Sequence, residues 1–184
     1  MKNFILFILL FLFTLTNKSL ASIKINILEN LENTENLSFN FEQNINGKIE
    51  NGNCVIEYPK KIFCKYESNN QKIIVSNGKF LVIKTNQSHY VYPIKKTPLN
   101  FILDKKFLIN EIKNLDGRII DNNLINYNFH FDDNEINLFF NKKNYNLVGW
   151  QTLDMYQNLS ITYLFSVTKN KNLKKNLFKL PKQD

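Results

Sequence analysis

The sequence predicts a mainly β (α+β) protein: an incomplete, strongly curved antiparallel β-barrel of about 10–11 strands. An N-terminal helix and a short central helical segment cover one side. Three observations lead there. From Leu37 onward, apolar residues alternate with polar ones in short runs, the period of half-buried strands. Turn residues separate those runs at meander spacing, with Asn77-Gly78 as the strongest hairpin signal. Helical spacing is confined to two places, near Ser22 and near Pro98. An antiparallel sheet of this many strands curls or closes rather than staying flat. A closed barrel or a sandwich with an ordinary packed core is the competing arrangement.

The first 21 residues read as an address. Lys2 gives a positive start, Phe4 to Leu15 is an apolar run broken only by Thr14, and Ser19-Leu20-Ala21 is a small-residue cleavage pattern. Twelve residues span about 18 Å as a helix, short of the roughly 30 Å hydrocarbon core, so a cleaved signal peptide is expected rather than an anchor. Residues 22–184 then form a single domain. This mature chain holds 22 basic and 16 acidic residues, a net charge of +6.

Ile23, Ile27, Leu28 and Leu31 mark an amphipathic helix from Ser22 to about Glu35. Leu37, Phe39 and Phe41 open the first strand. Alternating runs follow at 47–58, 61–68, 71–77, 79–85 and 88–92. Thr97 to Leu103 reads as a short helix with Pro98 in its first turn. Strands are expected to resume at 107–115, before a turn at Asp116-Gly117. Tyr127, Phe129 and Phe131 alternate, as do Ile136, Leu138 and Phe140 after an Asp132-Asp133-Asn134 turn. Further strands are expected over 147–153, over 161–167 and, last, over 177–181.

Cys54 and Cys64 flank a hairpin that turns at Pro59-Lys60. Opposed residues on antiparallel strands stand about 4.5–5.5 Å apart at Cα, within reach of a disulfide. In an oxidising compartment a structural disulfide is expected, with buried free thiols as the alternative. Two cysteines and the distant His89 and His130 do not make a metal-ligand set.

The chain holds 31 Asn, 23 Lys and one Arg, a skew that reflects compositional bias rather than recognition. Its pI of about 9.3 comes from lysines scattered along the sequence, dense only from Lys169 to Lys182. Nucleic acid is therefore not the expected partner. There is no Gly-x-Ser-x-Gly and no Gly-rich phosphate loop. Asp132 and Asp133 are adjacent in a turn, His89 and His130 are strand residues, and Ser76 belongs to a turn. No catalytic set, metal or cofactor is expected. Bulky apolar residues on a curved sheet suit the enclosure of an apolar ligand.

The order of motifs resembles the periplasmic outer-membrane lipoprotein carrier proteins, the LolA family. An N-terminal helix leads to Phe41-Glu42-Gln43. Gly52 to Pro59 opens a hairpin that ends at Tyr66. Ile73 to Leu81 forms the next hairpin, Pro98 to Leu103 a helical turn, and Phe178 to Pro181 a terminal strand. The resemblance covers essentially the whole mature chain. It departs at three points: Tyr58 stands where the family carries Arg, Phe63-Cys64 stands where it carries an Arg-Trp or Arg-Phe pair, and Cys54 stands where it carries an apolar residue. Both cysteines sit at positions of matching parity, in keeping with cross-strand pairing.

The resemblance implies a helical lid over an apolar cavity in a periplasmic, monomeric carrier. Its cargo would be acylated lipoproteins, loaded from an inner-membrane ATP-driven transporter and delivered to an outer-membrane acceptor. Parity and resemblance together nominate Phe39, Phe41, Ile56, Ile62, Tyr66, Val75, Val82, Phe101 and Leu103 as lipid-binding residues. Ile27 and Leu31 are nominated to close the cavity. Ordinary core packing is the competing role for each. A periplasmic lipid- or lipoprotein-sensing regulatory domain on the same fold is the alternative function.

Overall fold

A computed structural model describes residues 20–68, 70–131, 134–154 and 157–182. Residues 1–19 of the expected signal peptide (1–21) and the Asp132-Asp133 part of an expected turn lie outside the described residues. Helix α1 spans Leu20–Glu32. The strands are β1 (Asn36–Ile45), β2 (Lys48–Glu57), β3 (Lys61–Tyr66), β4 (Ile73–Asn77), β5 (Phe80–Lys84) and β6 (His89–Pro93), then β7 (Arg118–Ile120), β8 (Leu124–Phe131), β9 (Asn134–Asn141), β10 (Leu147–Leu153) and β11 (Leu159–Lys169). Between β6 and β7 come a 3-10 turn (Ile94–Lys96) and helices α2 (Leu99–Ile102) and α3 (Lys105–Asn114).

All eleven strands form one antiparallel sheet in the order β6-β5-β4-β3-β2-β1-β11-β10-β9-β8-β7. The first and last strands pair at its middle, and β6 and β7 are its edges. The sheet is therefore open and strongly curved, not closed. Register shifts at Ser38/Asn40 in the β1–β11 ladder and at Leu147/Gly149 in the β9–β10 ladder add local twist and bend. Asn46 and Gly47 both have positive φ in the two-residue turn between β1 and β2, the backbone of a type I′ hairpin.

The inner face carries the core. Leu37, Phe39 and Phe41 point inward from β1, and Cys54 and Ile56 from β2. Ile125, Tyr127 and Phe129 of β8 and Ile136, Leu138 and Phe140 of β9 join the same cluster. Helix α1 buries Ile23, Ile27 and Leu31, a stripe at spacing four. Its position is fixed by long lysines. Lys24 Nζ donates to the Leu115 carbonyl at 2.7 Å, and Lys105 Nζ donates to the carbonyls of Glu32 (3.0 Å) and Thr34 (2.9 Å) at the helix C-terminus.

Two expected strands are not strands. Residues 105–114 form helix α3. Its N-cap Asp104 accepts a hydrogen bond from the Phe107 amide at 3.2 Å, and Leu108 and Ile112 are buried one turn apart. The adjacent Phe107, Leu108 and Ile109 mimic a strand run, but the cap and the spacing of four decide for a helix. Residues 177–181 make no ladder. Leu177 and Lys179 donate backbone bonds to the carbonyls of Lys174 and Asn176, so the chain proceeds by turns. This terminal strap crosses the outer face of β3–β6. There the Lys61 ammonium stands 5.8 Å from the Phe178 ring centroid, His89 Nε2 lies 3.1 Å from the Pro181 carbonyl oxygen, and Lys84 Nζ donates to the Lys182 carbonyl at 3.0 Å.

Candidate functional site

The inner face is not filled everywhere. A cavity of about 350 Å³ lies against β1–β6, β10 and β11. That size is within the range of small-molecule and lipid-like sites, about 300–1,000 Å³. Its apolar wall comes from Phe41, Ile62, Ile74, Leu81 and Ile83, with Trp150 facing them from β10. Tyr90 and Tyr92 line it from the edge strand β6, with their rings stacked 6.4 Å apart. Thr97, Pro98 and Leu99 border it from the segment that follows β6.

Strand pairing explains which side chains reach the cavity. Cys54 opposes Cys64, and Cys64 opposes Ile74, which opposes Ile83. Directly opposed residues share a face, so this row lines the cavity as a unit. Cys54 and Cys64 are joined by a disulfide, with Cα atoms 4.1 Å apart, and both belong to the wall. Gly52 lies in the same inward register. A Cβ there would stand 2.3 Å from the Lys65 carbonyl oxygen and 2.8 Å from the Phe41 ring. Its lack of a side chain is what lets Phe41 lie across the strand and meet Tyr66 edge-on at 4.9 Å.

One side of the cavity is polar. Tyr66 Oη donates to Gln43 Oε1 at 2.8 Å, and Gln43 Nε2 donates to Ser160 Oγ and Thr162 Oγ1, each at 3.2 Å. Lys72 lies 3.9 Å over the Tyr66 ring and pairs with Glu50 at 2.5 Å. Burial works to raise the Glu50 carboxyl. The hydrogen bonds and charges of Lys72 and then Lys48 outweigh it and hold the pKa below its ordinary value. Burial and then the Glu50 charge raise the Tyr66 phenol, so it stays a neutral donor.

Of the nominated lipid-binding residues, Phe41, Ile62 and Tyr66 line this cavity. Phe39 and Ile56 face inward but belong to the packed core, where Phe39 meets Trp150 edge-on at 6.3 Å. Phe101 and Leu103 are also core residues; Phe101 packs on Phe107 and Phe131. Val75 and Val82 are placed differently. Val75 opposes Phe63 and Val82, one residue out of step with the cavity row, so both point to the outer face. They are 1% exposed there, in the region the strap crosses. Ile27 and Leu31 do not line the cavity either. They are 0% and 4% exposed within the core, and the bordering segment is Thr97–Leu99.

Tyr58, which stands where the family carries Arg, makes no polar contact in the arginine's place: its hydroxyl is buried and, among the described residues, has no hydrogen-bond partner. Contact between the β2–β3 turn and the helical segment is made by Lys60 instead. Its amide donates to the Leu103 carbonyl at 2.8 Å, and its ammonium stands 3.2 Å from Asp104. The sequence reading missed Lys60, Trp150 and the Tyr90/Tyr92 pair. The alternation of Tyr90 and Tyr92 around Val91 was the available signal for the last of these.

Among the described residues no helix is long and apolar enough to cross a membrane. No curated protein matches the chain. Solved structures share its fold at low identity. An uncharacterised conserved protein from Thermus thermophilus is 8% identical with a TM-score of 0.51, covering 90% of this chain and 96% of its own. The Pseudomonas aeruginosa MucA/MucB complex gives 9% identity and a TM-score of 0.50, covering 88% of this chain and 61% of that one. A LolA superfamily protein from Nitrosomonas europaea gives 10% identity and a TM-score of 0.47, with 88% and 98% covered. The model of the family described as outer membrane lipoprotein carrier protein LolA matches residues 32–181, from the end of α1 through every strand to the strap, and the chain belongs to that family.

Proposed function

We propose that the protein is a periplasmic carrier that shields the acyl chains of lipoproteins between the inner and the outer membrane. The observation that carries this reading is the apolar cavity on the inner face of an open sheet. Each acyl CH₂ kept from water is worth about 0.8 kcal/mol, so ten of them supply about 8 kcal/mol before ordering costs. Transport across water needs such a shelter and a border that yields. The segment Thr97–Leu99 is that border. The helical turn that continues it is tied to the β2–β3 turn by the Lys60–Leu103 backbone bond and the partly exposed Lys60–Asp104 pair. A partly exposed pair of this kind contributes on the order of 1 kcal/mol or less, so this tie adds little to the cost of opening, which is set by the apolar side chains the segment itself buries. Release of cargo by an inner-membrane ATP-driven transporter and capture by an outer-membrane acceptor would complete the cycle. The mature protein is expected to bind a fluorescent apolar probe and to lose it to a triacylated lipopeptide. A folded protein that binds the probe at no site, or keeps it against the lipopeptide, overturns the proposal.

A further inference from the structure

Charge is unevenly placed along the chain. Residues 169–182 hold Lys169, Lys171, Lys174, Lys175, Lys179 and Lys182 and no acidic residue. Residues 22–168 hold 16 basic and 15 acidic side chains, so nearly all the net charge of the mature chain sits on the run from the end of β11 through the strap, residues 169–182. Compositional bias toward lysine does not produce this, because elsewhere the same bias is matched by acids.

The fold displays the strap on a surface. It is pinned to the outer face of β3–β6 through Phe178, Pro181 and Lys182. Lys171, Lys174, Lys175, Lys179 and Lys182 are exposed. Among the described residues none of the five is in an ion pair; the nearby Lys61 is matched by Glu57 at 2.6 Å. Between these lysines, Leu173, Leu177, Phe178 and Leu180 stay half-buried. The same strands whose outer face carries the strap line the cavity with their inner face.

We infer that the strap is a docking surface for the headgroups of an anionic bilayer. Spaced, exposed ammonium groups outside any ion pair suit a flat field of phosphates, which demands no matching shape. Each lysine near such a surface is worth about fivefold in affinity, and the attraction fades within about 10 Å at ordinary salt. The preference for a bilayer over an acidic protein rests on the carrier reading, since acyl cargo must leave one membrane and enter another.

The test is flotation of the mature protein with vesicles of phosphatidylcholine alone or mixed with phosphatidylglycerol, at low and high salt. Wild type is expected to float only with the anionic vesicles, and less at high salt. The variant K171Q/K174Q/K175Q/K179Q is expected to lose about 100-fold or more in affinity. A variant with the same charge loss elsewhere, K95Q/K106Q/K113Q/K143Q, is expected to change little. No dependence on phosphatidylglycerol, or equal loss in both variants, overturns the inference. Binding to soluble polyglutamate without binding to vesicles also overturns it, in favour of an acidic protein partner. Probe binding by the cavity, measured in the same variants, separates this failure from failure of the carrier reading.

Discussion

Replacing Tyr58 by Phe isolates a single atom. The Tyr58 hydroxyl is buried without a hydrogen-bond partner among the described residues, while its ring packs against the core. A buried hydroxyl that gives up water for nothing costs about 1–3 kcal/mol. Removing it forfeits a few van der Waals contacts of about 0.1–0.2 kcal/mol each. Tyr58→Phe is therefore expected to stabilise the protein by about 0.5–2 kcal/mol. For a domain of this size that raises Tm by roughly 1–8 °C, at about 2–4 °C per kcal/mol. Urea denaturation gives the free energy and a thermal melt the second readout. A loss of stability would refute the reasoning, because it would mean that the hydroxyl is bonded in the folded protein. The variant also tests whether Tyr58 serves in place of the family arginine. Unchanged probe binding and lipopeptide exchange in Tyr58→Phe would assign the turn-to-helix contact to Lys60 alone.

Two further outcomes are expected. Burial raises the phenols of Tyr58, Tyr66 and Tyr127 in the folded state, with the Glu50 and Asp116 charges adding to the last two. The folded protein thus holds protons that the unfolded chain gives up near pH 10, so stability is full below that pH and falls above it; Tyr58→Phe should flatten the fall, and a flat wild-type profile from pH 8 to 11 would contradict these burials. Replacing Cys54 and Cys64 together by Ala should cost about 2.5–3 kcal/mol in urea denaturation, the entropy of a loop closed over ten residues; identical stability, or two free thiols in non-reducing peptide mapping of the exported protein, would refute the bond.

The fold was most legible where one face of the sheet is wet. In β1, Leu37, Phe39 and Phe41 alternate with Ser38, Asn40 and Glu42, and the inward face could be read directly. The same reading failed in β4 and β5. Ile73-Ile74-Val75 and Leu81-Val82-Ile83 are apolar on both faces, because the inner face meets the cavity and the outer face lies in the strap's path. Alternation carries no direction in such a strand, and Val75 and Val82 were taken for the wrong side. The strap arises from residues about 100 positions later, and residues 177–181 read as a last strand rather than as cover. Helix α1 shows a different limit. Its stripe of Ile23, Ile27 and Leu31 announces an apolar partner, but whether that partner is a packed core or a cavity depends on what the other half of the sheet supplies.

The polar side of the cavity bears on what it can select. Gln43 spends its carbonyl on Tyr66 and its amide on Ser160 and Thr162, and Lys72 spends its charge on Glu50. These groups are satisfied by one another within the protein. A ligand that offers no hydrogen bonds leaves none of them stranded and incurs no penalty for a broken buried bond. A site built to demand a particular polar group behaves in the opposite way, rejecting every molecule that lacks it. The wall of Phe41, Ile62, Ile74, Leu81, Ile83 and Trp150 therefore sets affinity by apolar area, while the polar side stays neutral toward the rest of the ligand. That combination fits a carrier whose cargoes share acyl chains and little else, and it predicts that probe affinity follows chain length rather than headgroup.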